Sequence, residues 1–249
     1  MLNKNVLLTG ASGGLGKYIS QHLAQSGFNL ALQYNKSPEK LEQSIHEMKN
    51  NGSLKPGAVI KSYRSDITDE TSVKQLTEKV KEELGSIDIL INNAGLSINA
   101  VSWKLKLEDW NNVLNVNLTG PFLCTKYVLP YMKENKFGRI IYISSVVPQI
   151  GVAGTAAYSA SKAGLYGLCK TVSKEIIRNN ITANLISLGY FDAGLLYQIP
   201  EEIRIQIKES IPLKEFGNPA EVSECVKYLC SENSRYITGQ TLNLNGGLF

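Results

Sequence analysis

Histidine is almost missing from this chain, with two residues in 249, and the four cysteines Cys124, Cys169, Cys225 and Cys230 form no C-x-x-C pair or other metal-type spacing. A zinc site therefore has no visible basis, and no metal is expected. The cysteines fall mostly on apolar faces of predicted helices and read as reduced core residues, while His22 and His46 lie on helical segments far from every motif below. No apolar run reaches the ~18 residues that a membrane span needs. Met1 to Lys4 run into the first apolar stretch without the charged and apolar regions of a secretory leader, so a cytoplasmic protein is expected. Charge of one sign is scarce too: 26 Lys and Arg against 22 Asp and Glu leave +4, scattered among acids, which argues against nucleic acid as the main partner. No Pro/Ser-rich linker or charge block divides the chain, and 43% hydrophobic residues suffice for a full core, so residues 1–249 are expected to form one domain.

What the chain does have is alternation. Apolar runs predict strands at Asn5–Thr9, Asn29–Tyr34, Val59–Ser65, Ile87–Asn92, Arg139–Ser144, Thr182–Ser187 and Thr241–Leu244. Amphipathic stretches between them predict helices near Gly14–Ser26, Pro38–Asn50, Asp69–Leu84, Leu107–Lys133, Ala157–Asn179 and Pro219–Cys230. Strands apolar on both faces in this βαβα order imply a parallel sheet covered on each side. With right-handed crossovers the α/β class follows: a doubly wound, seven-stranded Rossmann sheet in three α/β/α layers, with ligands bound beyond the carboxyl ends of its strands. Asn51–Gly57 reads as a surface excursion, and Tyr190–Pro212, with a helix-like piece at Glu201–Glu209, as a flap (190–212) after a strand's carboxyl end.

The turn between the first strand and first helix reads TGASGGLG, Thr9 to Gly16. At a helix N-terminus such a turn presents backbone N–H groups to an anion, and the helix dipole adds to their effect. A nucleoside-triphosphate loop is excluded twice: Gly16-Lys17 is followed by Tyr18 rather than Ser or Thr, and Ala11 stands where its first glycine is required. G-x-G-x-x-G does not fit as written either. The turn is a wider T-G-x-x-x-G-x-G, which still admits a pyrophosphate; a plain strand-to-helix connection is the alternative.

Polar residues gather where later strands end: Asn92-Asn93-Ala94-Gly95, then Ser144-Ser145, then Tyr158 and Lys162 opening a helix. Tyr158 and Lys162 are four apart and share a helix face. A nearby ammonium favours phenolate, and moving a phenol from ~10 toward neutrality is worth about 4 kcal/mol, within reach of one close cation aided by an oxidised nicotinamide. Such a Tyr can give a proton to a carbonyl oxygen as hydride arrives, or take one in reverse, with Ser145 holding the same oxygen. An isolated Tyr–Lys pair is usually an exposed helix pair; the coincidence with the serine and the Gly-rich turn gives this one its meaning.

Taken together, these residues resemble the short-chain dehydrogenase/reductase family and, within it, the 3-oxoacyl-[acyl-carrier-protein] reductases. The resemblance covers nearly the whole chain: Thr9–Gly16, Asp66, Asn92–Gly95, Asn117 in NVNLTGPF, Ser145, Tyr158 with Lys162, and YITGQTLNLNGG from Tyr236 to Gly247. It implies Tyr158 as the catalytic acid/base, Lys162 lowering its pKa and holding the nicotinamide ribose, Ser145 orienting the substrate carbonyl and Asn117 supporting a water on the proton path. Ser145, not Ser144, has the family's separation from the tyrosine. The same resemblance places Gly10, Ser12, Gly13, Gly14, Leu15 and Gly16 around a dinucleotide pyrophosphate. It puts Asn93, Ala94 and Gly95 along the cofactor, Asp66 and Ile67 at its adenine end, and Tyr158, Lys162 and Gly189 near the nicotinamide.

An NAD-preferring site carries an acid at the end of the second strand. Here that end reads Tyr34-Asn35-Lys36-Ser37, so Asn35, Lys36 and Ser37 are expected to hold a 2′-phosphate and the cofactor to be NADP(H). Two features run against the pattern: Gly13 supplies no additional base, and Glu39 is close by. After the sixth strand the family's Pro-Gly and following Thr are replaced by Leu188-Gly189 and Ala193, and Tyr190-Phe191 are expected to cover the nicotinamide instead. Lys136, Arg139 and Arg178 are in regions where relatives meet an acidic carrier protein. The implied activity is NADPH-dependent reduction of a 3-oxoacyl thioester delivered on acyl carrier protein. Acyl-CoA, a specialised-pathway intermediate or a small ketone are alternative substrates, and a non-catalytic NADPH-binding scaffold or sensor is the reading from another class. The resemblance also implies a homotetramer, since relatives pair the faces that correspond to the helices Leu107–Lys133 and Ala157–Asn179, and the apolar end Gly247-Leu248-Phe249 suits burial against a neighbour.

Overall fold

A computed structural model describes residues 4–50 and 54–249. Met1 to Asn3, and Asn51 to Ser53 of the expected excursion, lie outside the described residues. Seven parallel strands form one sheet in the order β3-β2-β1-β4-β5-β6-β7. In chain order they are β1 (Asn5–Leu8), β2 (Asn29–Tyr34), β3 (Ile60–Arg64), β4 (Ile89–Asn92), β5 (Gly138–Ser145), β6 (Ile181–Leu188) and β7 (Thr241–Leu244). The order reverses between β1 and β4, which opens a crevice at the carboxyl ends of those two strands.

The helices are α1 (Gly14–Gln25), α2 (Pro38–Asn50), α3 (Glu70–Leu84), α4 (Leu107–Leu114), α5 (Gly120–Glu134), α6 (Val147–Ile150), α7 (Ala156–Ile176), α8 (Glu201–Ser210) and α9 (Pro219–Cys230). Two cores lie on opposite faces of the sheet. One packs α3, α5 and α7 against Leu7, Leu90, Ile140 and Leu185; the other packs α1, α2 and α9 against Leu8, Leu32, Ile91 and Ile186. Burial at every residue of β1, β4, β5 and β6 explains why these strands are apolar on both faces. Cys124, Cys169 and Cys230 are buried free thiols, and His22 Nε2 lies 2.9 Å from Glu224 Oε1 between α1 and α9. Among the described residues, no helix is long and apolar enough to cross a membrane, and no three His, Cys, Asp or Glu side chains cluster as metal ligands.

The expected single helix Leu107–Lys133 is interrupted. A π-helical turn, Asn115–Thr119, separates α4 from α5. The Asn117 side chain accepts from Leu96 N at 2.9 Å and donates to Leu96 O at 2.9 Å and Ser161 Oγ at 3.1 Å, which fixes it to two other segments. Gly120 then lets the backbone approach Ile67, whose Cδ1 lies 2.8 Å from where a Cβ would stand. Widened helix turns of this kind recur at functional sites.

Candidate active site

The Gly-rich turn is fixed by two buried side chains, Gln33 and Thr9, and half-buried Asn93. Gln33, 2% exposed in β2, accepts from Gly10 N at 2.9 Å and donates to Ser65 O at 2.6 Å. Thr9 Oγ1 accepts from Asn93 N at 3.0 Å and Ala94 N at 3.1 Å, while Asn93 Nδ2 donates to Thr9 O and Gly10 O. Gly10 sits at φ +65°, and a Cβ there would lie 2.7 Å from Ala94 Cα, so only glycine fits. Helix α1 then begins at Gly14, leaving the N–H groups of Gly14, Leu15 and Gly16 without intrahelical acceptors beside exposed Gly13 and half-buried Ser12. These open donors fit a pyrophosphate, and the tight turn that presents them requires glycine, since a Cβ at Gly10, Gly14 or Gly16 would strike the backbone of Ala94, Gly194 or Gly10.

Just past the carboxyl end of β3, Asp66 Oδ1 accepts from Thr68 N at 2.9 Å and Thr68 Oγ1 at 2.8 Å. Burial raises its pKa, but the Thr68 bonds, the Asn35 side chain and the Lys36 charge outweigh that and hold the carboxyl below its ordinary value. Asn35, Lys36 and Asp66 are therefore neighbours. The Ile67 side chain is 5% exposed and committed to the core against Gly120, so it faces away from any ligand.

Beyond the carboxyl ends of β4 and β5, Gly95, Asn117 and Lys162 converge: a Cβ on Gly95 would lie 3.4 Å from Asn117 Oδ1 and 3.5 Å from Lys162 Nζ. Asn117 reaches the tyrosine segment through Ser161, whose Oγ donates to Tyr158 O at 2.7 Å. Ser145 Oγ accepts from Val147 N at 3.2 Å, which leaves its own proton to donate elsewhere. Ser144 is turned away and donates to Lys162 O at 3.1 Å.

Burial pushes the Tyr158 phenol above its ordinary value, with the adjacent Ser145 hydroxyl acting in the opposite direction. Lys162 Nζ stands over the Tyr158 ring at 5.8 Å from its centroid and donates to Ile143 O at 2.8 Å, and burial lowers the ammonium to about 8. Burial thus acts against the charged form of both groups, raising the phenol and lowering the ammonium.

The flap passes over the Gly-rich turn. Gly189 N donates to Leu244 O at 2.7 Å, Gly217 N to Tyr190 O and Asp192 N to Gly217 O, both at 2.9 Å. The Phe191 ring packs on Gly217 and the sheet core, whereas half-buried Tyr190 is the aromatic that acts on Tyr158. At Gly14 a Cβ would lie 2.5 Å from Gly194 N, so two glycines allow flap and turn to meet.

Over residues 10–249 the chain matches the family model described as Enoyl-(Acyl carrier protein) reductase. It belongs to the short-chain dehydrogenase/reductase family. It is 35% identical over 250 residues to the 3-oxoacyl-[acyl-carrier-protein] reductase FabG of Staphylococcus epidermidis, covering 100% of both chains. The FabG proteins of Thermotoga maritima and Aquifex aeolicus are 38% and 37% identical, covering 98% of this chain and 97% and 96% of theirs. This member of the short-chain dehydrogenase/reductase family is an oxidoreductase acting on the CH–OH/C=O couple.

The basic surface expected at the site entrance is not where the sequence put it. Arg139 is fully buried at the amino end of β5, donating to Ser231 O, Gly138 O and Asn180 O and pairing with Glu232 at 3.4 Å. Lys136 and Arg178 flank the same amino ends of β5 and β6, across the sheet from Ser145. Sequence reasoning also passed over Gln33 as a site residue; its signal was a lone amide inside an otherwise apolar strand.

Proposed function

We propose that this short-chain dehydrogenase/reductase reduces the 3-oxo group of an acyl thioester carried on acyl carrier protein, with NADPH as reductant. The observation that carries this reading is the convergence of Ser145, Tyr158, Lys162 and Asn117 beside the open N–H groups of α1. Full-length similarity to FabG proteins supports the substrate class. Bound NADPH supplies hydride to the carbonyl carbon. The chain's residues govern the oxygen: Ser145 Oγ–H donates to it, and Tyr158 Oη–H gives up its proton as negative charge develops there. A phenol raised by burial is still protonated at neutral pH, which suits a proton donor in the reductive direction. Lys162 orients the nicotinamide ribose, and the Asn117 turn supports the water that returns a proton to Tyr158. Gly10, Ser12, Gly13, Gly14, Leu15 and Gly16 surround the pyrophosphate, and Asn93, Ala94, Gly95 and Gly189 line the remainder. Asn35, Lys36 and Ser37 receive the 2′-phosphate, where no acid ends β2. Asp66 and the Ile67 backbone meet the adenine.

One domain serves cofactor and substrate, with residues 190–212 as its flap. We read the protein as a cytoplasmic homotetramer that pairs exposed apolar residues such as Leu107, Phe122 and Phe249. The absence of Arg139 from the surface favours a second reading of the substrate, an acyl-CoA or free ketone. NADPH and NADH oxidation is followed with acetoacetyl-acyl carrier protein, acetoacetyl-CoA and a 2-enoyl thioester. Turnover restricted to NADPH and fastest on the carrier-bound 3-oxo ester supports the proposal; equal rates on both carriers support the second reading, and turnover of the 2-enoyl ester alone contradicts both.

A further inference from the structure

The last residues of β2 and β3, Tyr34 and Arg64, are direct partners in the ladder. Tyr63 is buried on the α3 face, whereas Ile60, two alternations earlier, joins the α2-side core with Leu30, Leu32 and Tyr34. Arg64 thus stands on the α2 side at the carboxyl edge, beside Asn35-Lys36-Ser37. It is exposed and, unlike Lys61, which pairs with Glu83 at 2.8 Å, it makes no ion pair or hydrogen bond among the described residues. Its position is rigid relative to the Gly-rich turn: Ser65 N donates to Tyr34 O at 2.9 Å, and Gln33 bridges Ser65 O to Gly10 N.

The electrostatics of this corner leave a gap. A phosphate monoester carries about −1.5 to −2 charges at pH 7. Gly13 offers no side chain, and Lys36, the one cation of the β2 end, stands near the Asp66 carboxylate, which offsets part of its charge there. We propose that Arg64 is the second cation of the 2′-phosphate site and sets this chain's preference for the 2′-phosphorylated dinucleotide over its dephosphorylated form. A planar guanidinium can take two phosphate oxygens at once, which a lysine ammonium cannot do in the same geometry.

The inference rests on the NADPH reading above, and the test separates the two. Full-length protein is titrated calorimetrically with 2′,5′-ADP and with 5′-ADP, as wild type, Arg64→Gln and Arg64→Lys. The expected result is a wild-type preference for 2′,5′-ADP that Arg64→Gln reduces by about tenfold or more. Binding of 5′-ADP should be unchanged, and Arg64→Lys should restore part of the loss. A wild-type preference that survives Arg64→Gln overturns the role of Arg64 and leaves NADPH standing. Equal wild-type affinity for the two ligands overturns the NADPH reading, and Arg64 with it.

Discussion

The Lys162 ammonium donates to the Ile143 carbonyl at 2.8 Å and stands 5.8 Å from the centre of the Tyr158 ring. The same Nζ would lie 3.5 Å from a Cβ at Gly95, so the ammonium stands between the end of β5, the tyrosine ring and the turn after β4. Sequence spacing pairs the lysine with the tyrosine; the fold adds the Ile143 carbonyl as its hydrogen-bond partner.

This burial makes stability pH-dependent with a definite sign. Unfolded, the lysine titrates near ~10.4; folded, it does so at about 8. Between those values the unfolded chain holds a proton that the folded chain lacks, so the Lys162 contribution to stability rises with pH from about 8 to about 10. Below about 8 the cost of the buried ammonium is fully present. Lys162→Met should melt higher than wild type at pH 7, with the difference shrinking toward pH 10. A difference that does not change with pH contradicts this account. Tyr158 acts oppositely: with its pKa raised, its contribution is lost as pH rises through the ordinary phenol value of ~10.

Gly14→Ala should act on the flap more than on the core. The new methyl would meet Gly194 backbone atoms at 2.5 and 2.6 Å, which no side-chain rotation relieves. Helix propensity offsets part of the cost by about 1 kcal/mol. The expected outcome is a nearly unchanged melting temperature with amide exchange at Gly194–Tyr197 faster by about tenfold, a local opening costing little over 1 kcal/mol. Unchanged exchange there would mean the flap does not rest on the turn.

Arg139→Ala should destabilise the fold by about 3 kcal/mol, since it strips three backbone carbonyls and Glu232 of a buried partner. It should leave the ratio of activities on carrier-bound and CoA-bound esters unchanged. A selective loss on the carrier-bound ester would return Arg139 to an interface.

Most of the architecture was legible because the central strands are buried on both faces and the helices packed on them on one, so burial writes itself into the apolar pattern. Asn29–Tyr34, Pro38–Asn50 and Thr241–Leu244 were bounded to the residue. The break at Asn115–Thr119 was not, because hydrogen bonds from Asn117 to Leu96 and Ser161 impose it, and those partners are distant in sequence. The site's residue types were visible at strand ends. Their electrostatics were not, since desolvation of Tyr158 and Lys162 depends on what covers them. Arg139 was misread because a strand's apolar pattern does not say that a residue near its start lies at the opposite end of the sheet from the site at its end.

The central claim is that Tyr158 delivers the proton to a 3-oxoacyl thioester. Its most direct test is single-turnover NADPH oxidation with an acetoacetyl thioester at pH 7, comparing wild type with Tyr158→Phe. The account predicts that hydride transfer falls by about 10²–10⁴-fold, while 2′,5′-ADP binding stays within about twofold, since the ring and its packing remain. Reduction by the phenylalanine variant at near the wild-type rate would contradict it.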